Sequence, residues 1–274
     1  MKYFRGFMMA WGNFSSIPCP SSKWYEECRG VMLNMLPLIG TFMGIISVAV
    51  WKLLSVAGTS DVFTGVVITA LYFWMTGFIH LDGFMDCSDA ILSRRPDMEE
   101  RRRILKDSRV GAFAVISLAF MLMLFAGSLA SISQSFTMRQ GAMFIIVLTC
   151  SRTFAVRDVI TKKPMSSSQY NGTVYDDPME KGTLAVILTA AVAVIMYAAF
   201  IFDFSRPASM INALTFFYTI VLAALMKVVT GWAGSSARKQ LGGMNGDISG
   251  CMVVLGEMAG VILIALLSDI INLA

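Results

Sequence analysis

The chain alternates long apolar stretches with shorter polar ones, and the apolar stretches have the length of membrane spans. A membrane-crossing helix needs roughly 20 mostly apolar residues. Seven stretches approach this: residues 31–56, 62–79, 110–133, 141–156, 184–204, 210–232 and 248–271. The fourth is the weakest, because it is short and carries Ser151 and Arg152 near its end. The pattern predicts an all-α, polytopic membrane helix bundle of about seven spans, with residues 1–274 forming a single integral-membrane domain. Ahead of the first span, Lys2 and Arg5 precede a short apolar run from Phe7 to Trp11. That run lacks the apolar core and small-residue cleavage site of a signal peptide. It reads as a short interfacial helix.

Composition supports a lipid-facing surface. Hydrophobic residues make up 56% of the chain and charged ones 15%; soluble domains have about 45–50% and about 25%. The distribution of positive charge gives the orientation. With the N-terminus in the cytoplasm, 19 of the 22 lysines and arginines fall on the inner side. Only Lys52, Arg139 and Arg206 fall outside, which is the positive-inside asymmetry expected of a membrane protein in this orientation. The inner connections are long and polar, so chemistry is expected on the cytoplasmic face. The acids appear at helix ends rather than helix centres, which argues against a transporter. No basic run interleaved with aromatics suggests nucleic acid. Five cysteines without a CxxC pair give no zinc or disulfide framework. A single histidine, His80, excludes a multi-histidine centre.

The strongest chemical signal is His80-Leu-Asp82-Gly83-Phe-Met-Asp86-Cys-Ser-Asp89. Asp82, Asp86 and Asp89 are spaced i, i+4 and i+7, which puts them on one face of a helix. Three carboxylates there repel one another unless a cation sits between them. Magnesium fits, since it takes carboxylate oxygens and shares its shell with substrate phosphates. Gly83 is expected to let a ligand approach the backbone.

A second segment, Lys106-Asp107-Ser108-Arg109, lies at the mouth of the third span. Lys106, Ser108 and Arg109 are candidates for holding phosphate oxygens, Arg109 as a fork, and Asp107 is a further candidate metal ligand. The third, Gly242-Gly243-Met-Asn245-Gly246-Asp247, has the composition of a backbone anion cradle. Asp247 in it is a candidate cap for the last helix. Arg152 is a fourth candidate for phosphate. Acids for a metal and arginines for phosphate together point to phosphoryl transfer on a diphosphate, where positioning and charge neutralisation supply most of the catalysis.

These residues resemble the cobalamin synthase family, the adenosylcobinamide-GDP ribazoletransferases. The family's GGLHLDGLADTADG is similar to the segment from Gly77 to Asp89. Its MKDSRIGAFGV is similar to the segment from Leu105 to Val115. Its late GGxTGDxxGA is similar to the segment from Gly242 to Cys251, and its early PLxGxxxG to the one from Pro37 to Gly44. Three departures stand out. Ala90 replaces a glycine, Asn245 replaces a threonine, and Ser15-Ser16 stands where the family has Thr-Arg, leaving one phosphate-binding arginine unaccounted for.

The resemblance implies that α-ribazole, or its 5′-phosphate, is joined to adenosylcobinamide-GDP with loss of GMP, and that magnesium is the cofactor. It implies metal binding by the aspartates, charge neutralisation by Arg109 and Lys106, and a proton acceptor in His80 or an aspartate. The implied partners are the two substrates and the lipid bilayer. Other corrinoid-assembly enzymes and a second copy of the chain stay open, and nucleic acid is not expected. Two rival classes remain. One is another membrane transferase, of the CDP-alcohol or polyprenyl type, although no arginine follows Asp82-Gly83 at the offset the alcohol type needs. The other is a non-enzymatic corrinoid carrier or scaffold.

Overall fold

The computed structural model describes residues 1–21, 23–170, 179–202, 205 and 210–268. Among them the protein is all helical: α1 (Lys2–Phe14), α2 (Arg29–Asn34), α3 (Leu36–Val56), α4 (Asp61–Met75), α5 (Ile79–Leu92), α6 (Met98–Leu105), α7 (Ala112–Ser133), α8 (Met138–Thr161), α9 (Leu184–Met196), α10 (Met210–Leu241) and α11 (Gly246–Leu266). The described residues pair as extended chain at one point, an isolated bridge between Pro164 and Met244.

Five segments are long and apolar enough to cross a bilayer: α3, α7, Met179–Ile201 around α9, Asn212–Leu241 in α10, and α11. A sixth exists only if α4 and α5 count together, and these are bent by 93°. The sequence pattern counts seven, and once the α4–α5 pair is counted the remaining difference lies in α8. Its 24 residues extend about 36 Å at 1.5 Å per residue, so length is not the reason. Arg139, Gln140, Ser151, Arg152 and Arg157 lower its apolarity. Yet α8 is the most enclosed of the long helices, buried at every position from Gln140 to Thr153 and packed by α3, α9, α10 and α11. A helix screened from lipid by its neighbours can carry polar groups if they are paired.

The pairing centres on Glu257, 1% exposed, in the middle of α11. This corrects the expectation that acids occupy only helix ends. Arg152 donates to Glu257 Oε1 at 2.7 Å and to Tyr72 Oη at 2.9 Å. Tyr72 donates to Glu257 Oε2 at 2.6 Å, and Ser151 to Oε1 at 2.9 Å. One buried network thus ties α4, α8 and α11. The glycines of the early motif serve the same packing: a Cβ at Gly40 would overlap Leu148 O of α8, and one at Gly44 would stand 3.1 Å from Ile145.

The break between α4 and α5 has a local cause. Gly77 (φ 60°) and Phe78 (φ 61°) are both left-handed, a conformation rare for a bulky residue such as Phe78. The segment after α1 braces the bend, with Ser16 N donating to Met75 O at 2.9 Å and its hydroxyl to Trp74 O. The acidic segment therefore does not continue the preceding apolar helix. It forms a separate helix turned across the bundle and seated against α11 and α7.

The seat on α11 depends on two glycines. A Cβ at Gly83 would stand 2.8 Å from Asp247 O, and one at Gly250 would stand 3.0 Å from His80 O. Gly83 is thus filled by α11 and not left free for a ligand, as the sequence had suggested. Small residues give membrane helices this close approach. A Gly83→Ala substitution meets backbone that cannot rotate away. It is expected to push α5 off α11, destabilising the bundle by about 1–3 kcal/mol and impairing turnover. Thermal unfolding beside an activity assay checks this; wild-type values of both would contradict the close packing.

Candidate active site

Helix α5 presents its acids on one face and its apolar residues on the other. Leu81, Gly83, Phe84, Cys87 and Ala90 are buried, Asp82 is exposed, and Asp86 and Asp89 are half-buried. The three carboxylates are joined by a fourth, Asp247, because Gly83 packs on its backbone. Negative charge from Asp82, Asp247 and Asp89 bears on Asp86, and charge from Asp82 bears on Asp247. Asp247 therefore belongs with the acids. It does not cap α11. Asn245 does, its Oδ1 accepting from Ile248 N at 3.0 Å while its Nδ2 donates to Asp247 Oδ2 at 2.6 Å.

Two pockets meet at Asp82. The deeper, about 160 Å³, is lined by Phe14, Leu33, Leu36, His80, Asp82, Gln169, Tyr170, Asp247 and Ser249, among others. The shallower, about 390 Å³, is formed by Asn13, Ser15, Ser16, Thr76, Gly77, Phe78, Ile79 and Asp82. The Ser15-Ser16 departure thus falls on the wall of the site. His80 is 6% exposed and shares its pocket with apolar side chains, which suits a neutral imidazole better than a charged one.

The other expected residues divide. Asp89 reaches the start of α7, where a Cβ at Gly111 would overlap its carboxylate; this brings the loop of Lys106, Ser108 and Arg109 beside α5. Arg109 is open to solvent, its side chain 88% exposed, and forks onto Asp107, with Nε at 3.1 Å and a terminal nitrogen at 2.9 Å. The Arg109 guanidinium holds the Asp107 carboxyl below its usual range. In this arrangement Asp107 serves Arg109.

Arg152 is committed to Glu257 and Tyr72 inside the bundle and faces neither pocket. Gly242 and Gly243 are occupied by the protein itself: Arg102 donates to Leu241 O at 2.7 Å beside Gly242, and Gly243 packs on the Pro164–Met165 backbone. Met244 is paired there, its N donating to Lys163 O and its O accepting from Met165 N. The glycine loop thus shapes the start of α11 and brings residues 163–170 to the site.

Those residues were invisible to the sequence reading. Gln169 and Tyr170 come from a polar connection with no motif. Arg29 steadies them, donating to Gln169 O and lying 5.7 Å from the Tyr170 ring. Among the described residues, no three His, Cys, Asp or Glu side chains converge as a ready-made metal cluster. The donor set still suits a hard divalent ion. Asp82, Asp86 and Asp89 run along one face of α5 with Asp247 of α11 beside them, and the repulsion they exert on Asp86 is what such an ion would relieve.

Comparison with known proteins finds relatives over nearly the whole chain. The profile of the cobalamin-5-phosphate synthase family matches residues 6–265. A Clostridium perfringens protein named adenosylcobinamide-GDP ribazoletransferase is 30% identical, covering 97% of this chain and 99% of its own length. Proteins of the same name from Clostridium botulinum (30%, 94% and 95%) and Geobacillus kaustophilus (31%, 93% and 92%) are similar. No solved structure matches significantly. With the match extending from α1 to the end of α11, the chain belongs to the cobalamin-5-phosphate synthase family.

Proposed function

We propose that this chain is an adenosylcobinamide-GDP ribazoletransferase acting at the Asp82 site with magnesium. The observation that carries the reading is the meeting of two pockets at one exposed carboxylate, inside a cluster of four acids. A two-substrate transfer is served by this: each substrate presents its reacting group from one pocket, and the reacting atoms meet at the shared wall. The ribose hydroxyl of α-ribazole attacks the phosphorus attached to cobinamide. The new P–O bond forms as the bond to GMP breaks, and GMP leaves with the electron pair.

Asp82 is the better proton acceptor, because it is exposed at the junction while His80 is buried and apolar in surroundings; His80 positions the nucleophile by a hydrogen bond. Asp82, Asp86, Asp89 and Asp247 would hold magnesium, which when bound neutralises the diphosphate and polarises its phosphorus. Arg109 and Lys106, on the mobile-length side chains of an exposed loop, neutralise charge on the departing GMP.

In this reading α8 and the α4–α5 pair both count as spans, giving seven, with the N-terminus and the site on the cytoplasmic side. The 15 residues of α4 rise only about 22 Å, short of the ~30 Å hydrocarbon layer, so α5, bent by 93°, lies just within the inner leaflet and is reached from the cytoplasmic edge. Purified protein is expected to release GMP only when magnesium and a ribazole are both added, with ribazole and ribazole 5′-phosphate assayed separately. Release unaffected by a chelator would overturn the magnesium role.

Arg109 gives a separate check. Exposed as it is, Arg109→Gln should leave the thermal midpoint nearly unchanged, as surface changes usually stay within about 0.5 kcal/mol. Turnover should fall about a hundredfold, as for loss of one charge-stabilising donor. Unchanged turnover would remove Arg109 from the mechanism.

A further inference from the structure

Behind the site, on the opposite side of α8, lies a second polar pocket of about 260 Å³. Val156 and Val159 of α8 face the deeper active-site pocket, whereas Arg157, Asp158, Thr161 and Lys162 turn to this one. Lys227, Thr230 and Gly231 of α10 and Met252 of α11 complete it, with Phe154 as an apolar wall.

Its charge balance is one-sided. Asp158, its one acid, forms an ion pair with Arg238. Arg157, Lys162 and Lys227 are exposed, and none of the three has an ion pair among the described residues. The hydroxyls of Thr161 and Thr230 are satisfied by backbone carbonyls, so the cations dominate what the pocket offers.

The position of Lys227 is unusual. It lies well inside Asn212–Leu241, a segment apolar enough to cross a membrane. A lysine there is costly unless its ammonium reaches the headgroup level or an anion. Arg157 and Lys162, at the C-terminal end of α8, supply that level from the neighbouring helix. The pocket therefore runs from the exposed flank of α10 to the C-terminal end of α8. Basic pockets between helices at the cytoplasmic edge bind anionic lipid headgroups.

We infer that the pocket between α8, α10 and α11 holds the phosphate of an anionic phospholipid, gripped by Arg157, Lys162 and Lys227. A free phosphate would meet the same cations but would have no use for the apolar wall of Phe154 and Met252. The inference does not depend on the transferase reading, since the pocket lies apart from Asp82.

The test is lipid retention by the purified full-length protein, followed by native mass spectrometry. Phosphatidylglycerol and phosphatidylcholine serve as probes and inorganic phosphate as competitor. Wild type is expected to keep phosphatidylglycerol at least about tenfold better than phosphatidylcholine, and an Arg157→Gln/Lys227→Gln protein is expected to lose that preference. Lys162→Gln, a single change at the helix end, should weaken it about fivefold and carries the test if the double variant does not fold. Equal retention in wild type and Lys162→Gln would overturn the inference. Displacement of phosphatidylglycerol by millimolar inorganic phosphate would do the same, assigning the pocket to a soluble anion.

Discussion

An Asp82→Asn protein should fold and insert normally yet release GMP from adenosylcobinamide-GDP about a thousandfold more slowly than wild type, the loss of several kcal/mol of charge stabilisation. Asp82 is exposed, and its carboxylate has no hydrogen bond among the described residues, so it is available for chemistry. It is also the acid shared by both pockets. Asp86→Asn should behave differently. Asp86 is half-buried and faces the charge of three other carboxylates, so neutralising it relieves repulsion. Its thermal midpoint should be equal to or above wild type while its turnover still falls. Measuring turnover and unfolding on the same preparations separates the two effects. Wild-type rates in both variants would remove the acidic face from the mechanism.

Arg152→Met is expected to have the largest effect on stability, about 3–5 kcal/mol, because it leaves Glu257 as an uncompensated buried charge. The bidentate grip of Arg152 on Glu257 and Tyr72 joins three helices. A double variant, Arg152→Met/Glu257→Met, should recover much of the loss, since apolar replacements of a complete buried pair are often well tolerated. Reversible unfolding of the reconstituted protein in detergent mixtures gives the comparison. If Arg152→Met were as stable as wild type but bound substrate weakly, Arg152 would be a phosphate ligand after all, as its sequence context suggests.

How much of this was legible beforehand depended on the length scale of the signal. Apolar stretches of span length announced the helical membrane bundle, because lipid demands long apolar helices. The i, i+4, i+7 spacing located the acid face of α5, because the helical period is local. The α4–α5 bend was not legible. Phe78 in a left-handed conformation breaks no composition rule, and apolarity continues through it to Ile79. The weakness of α8 as a span reflected its central position, since Arg152 is tolerated there only because Glu257 lies 105 residues away in sequence. A still longer separation along the chain hid the membership of Asp247 in the acid cluster, which depends on Gly83 and Gly250 letting two helices touch. Gln169 and Tyr170 had no periodic signal; the Met244 bridge to residues 163–165 brings them in. Gly242 and Gly243 have the composition of an anion cradle, and in the fold the space beside them is taken by Arg102 and Met98 and by the Pro164–Met165 backbone.

The central claim is that the Asp82 site joins a ribazole to a GDP-activated corrinoid. It is tested most directly by incubating the purified protein with adenosylcobinamide-GDP, α-ribazole and magnesium, and identifying both products by mass. One GMP released for each ribazole-bearing corrinoid formed is the predicted result. A folded, lipid-reconstituted protein that binds the corrinoid but forms neither product, with ribazole or its 5′-phosphate, would contradict it and favour a carrier.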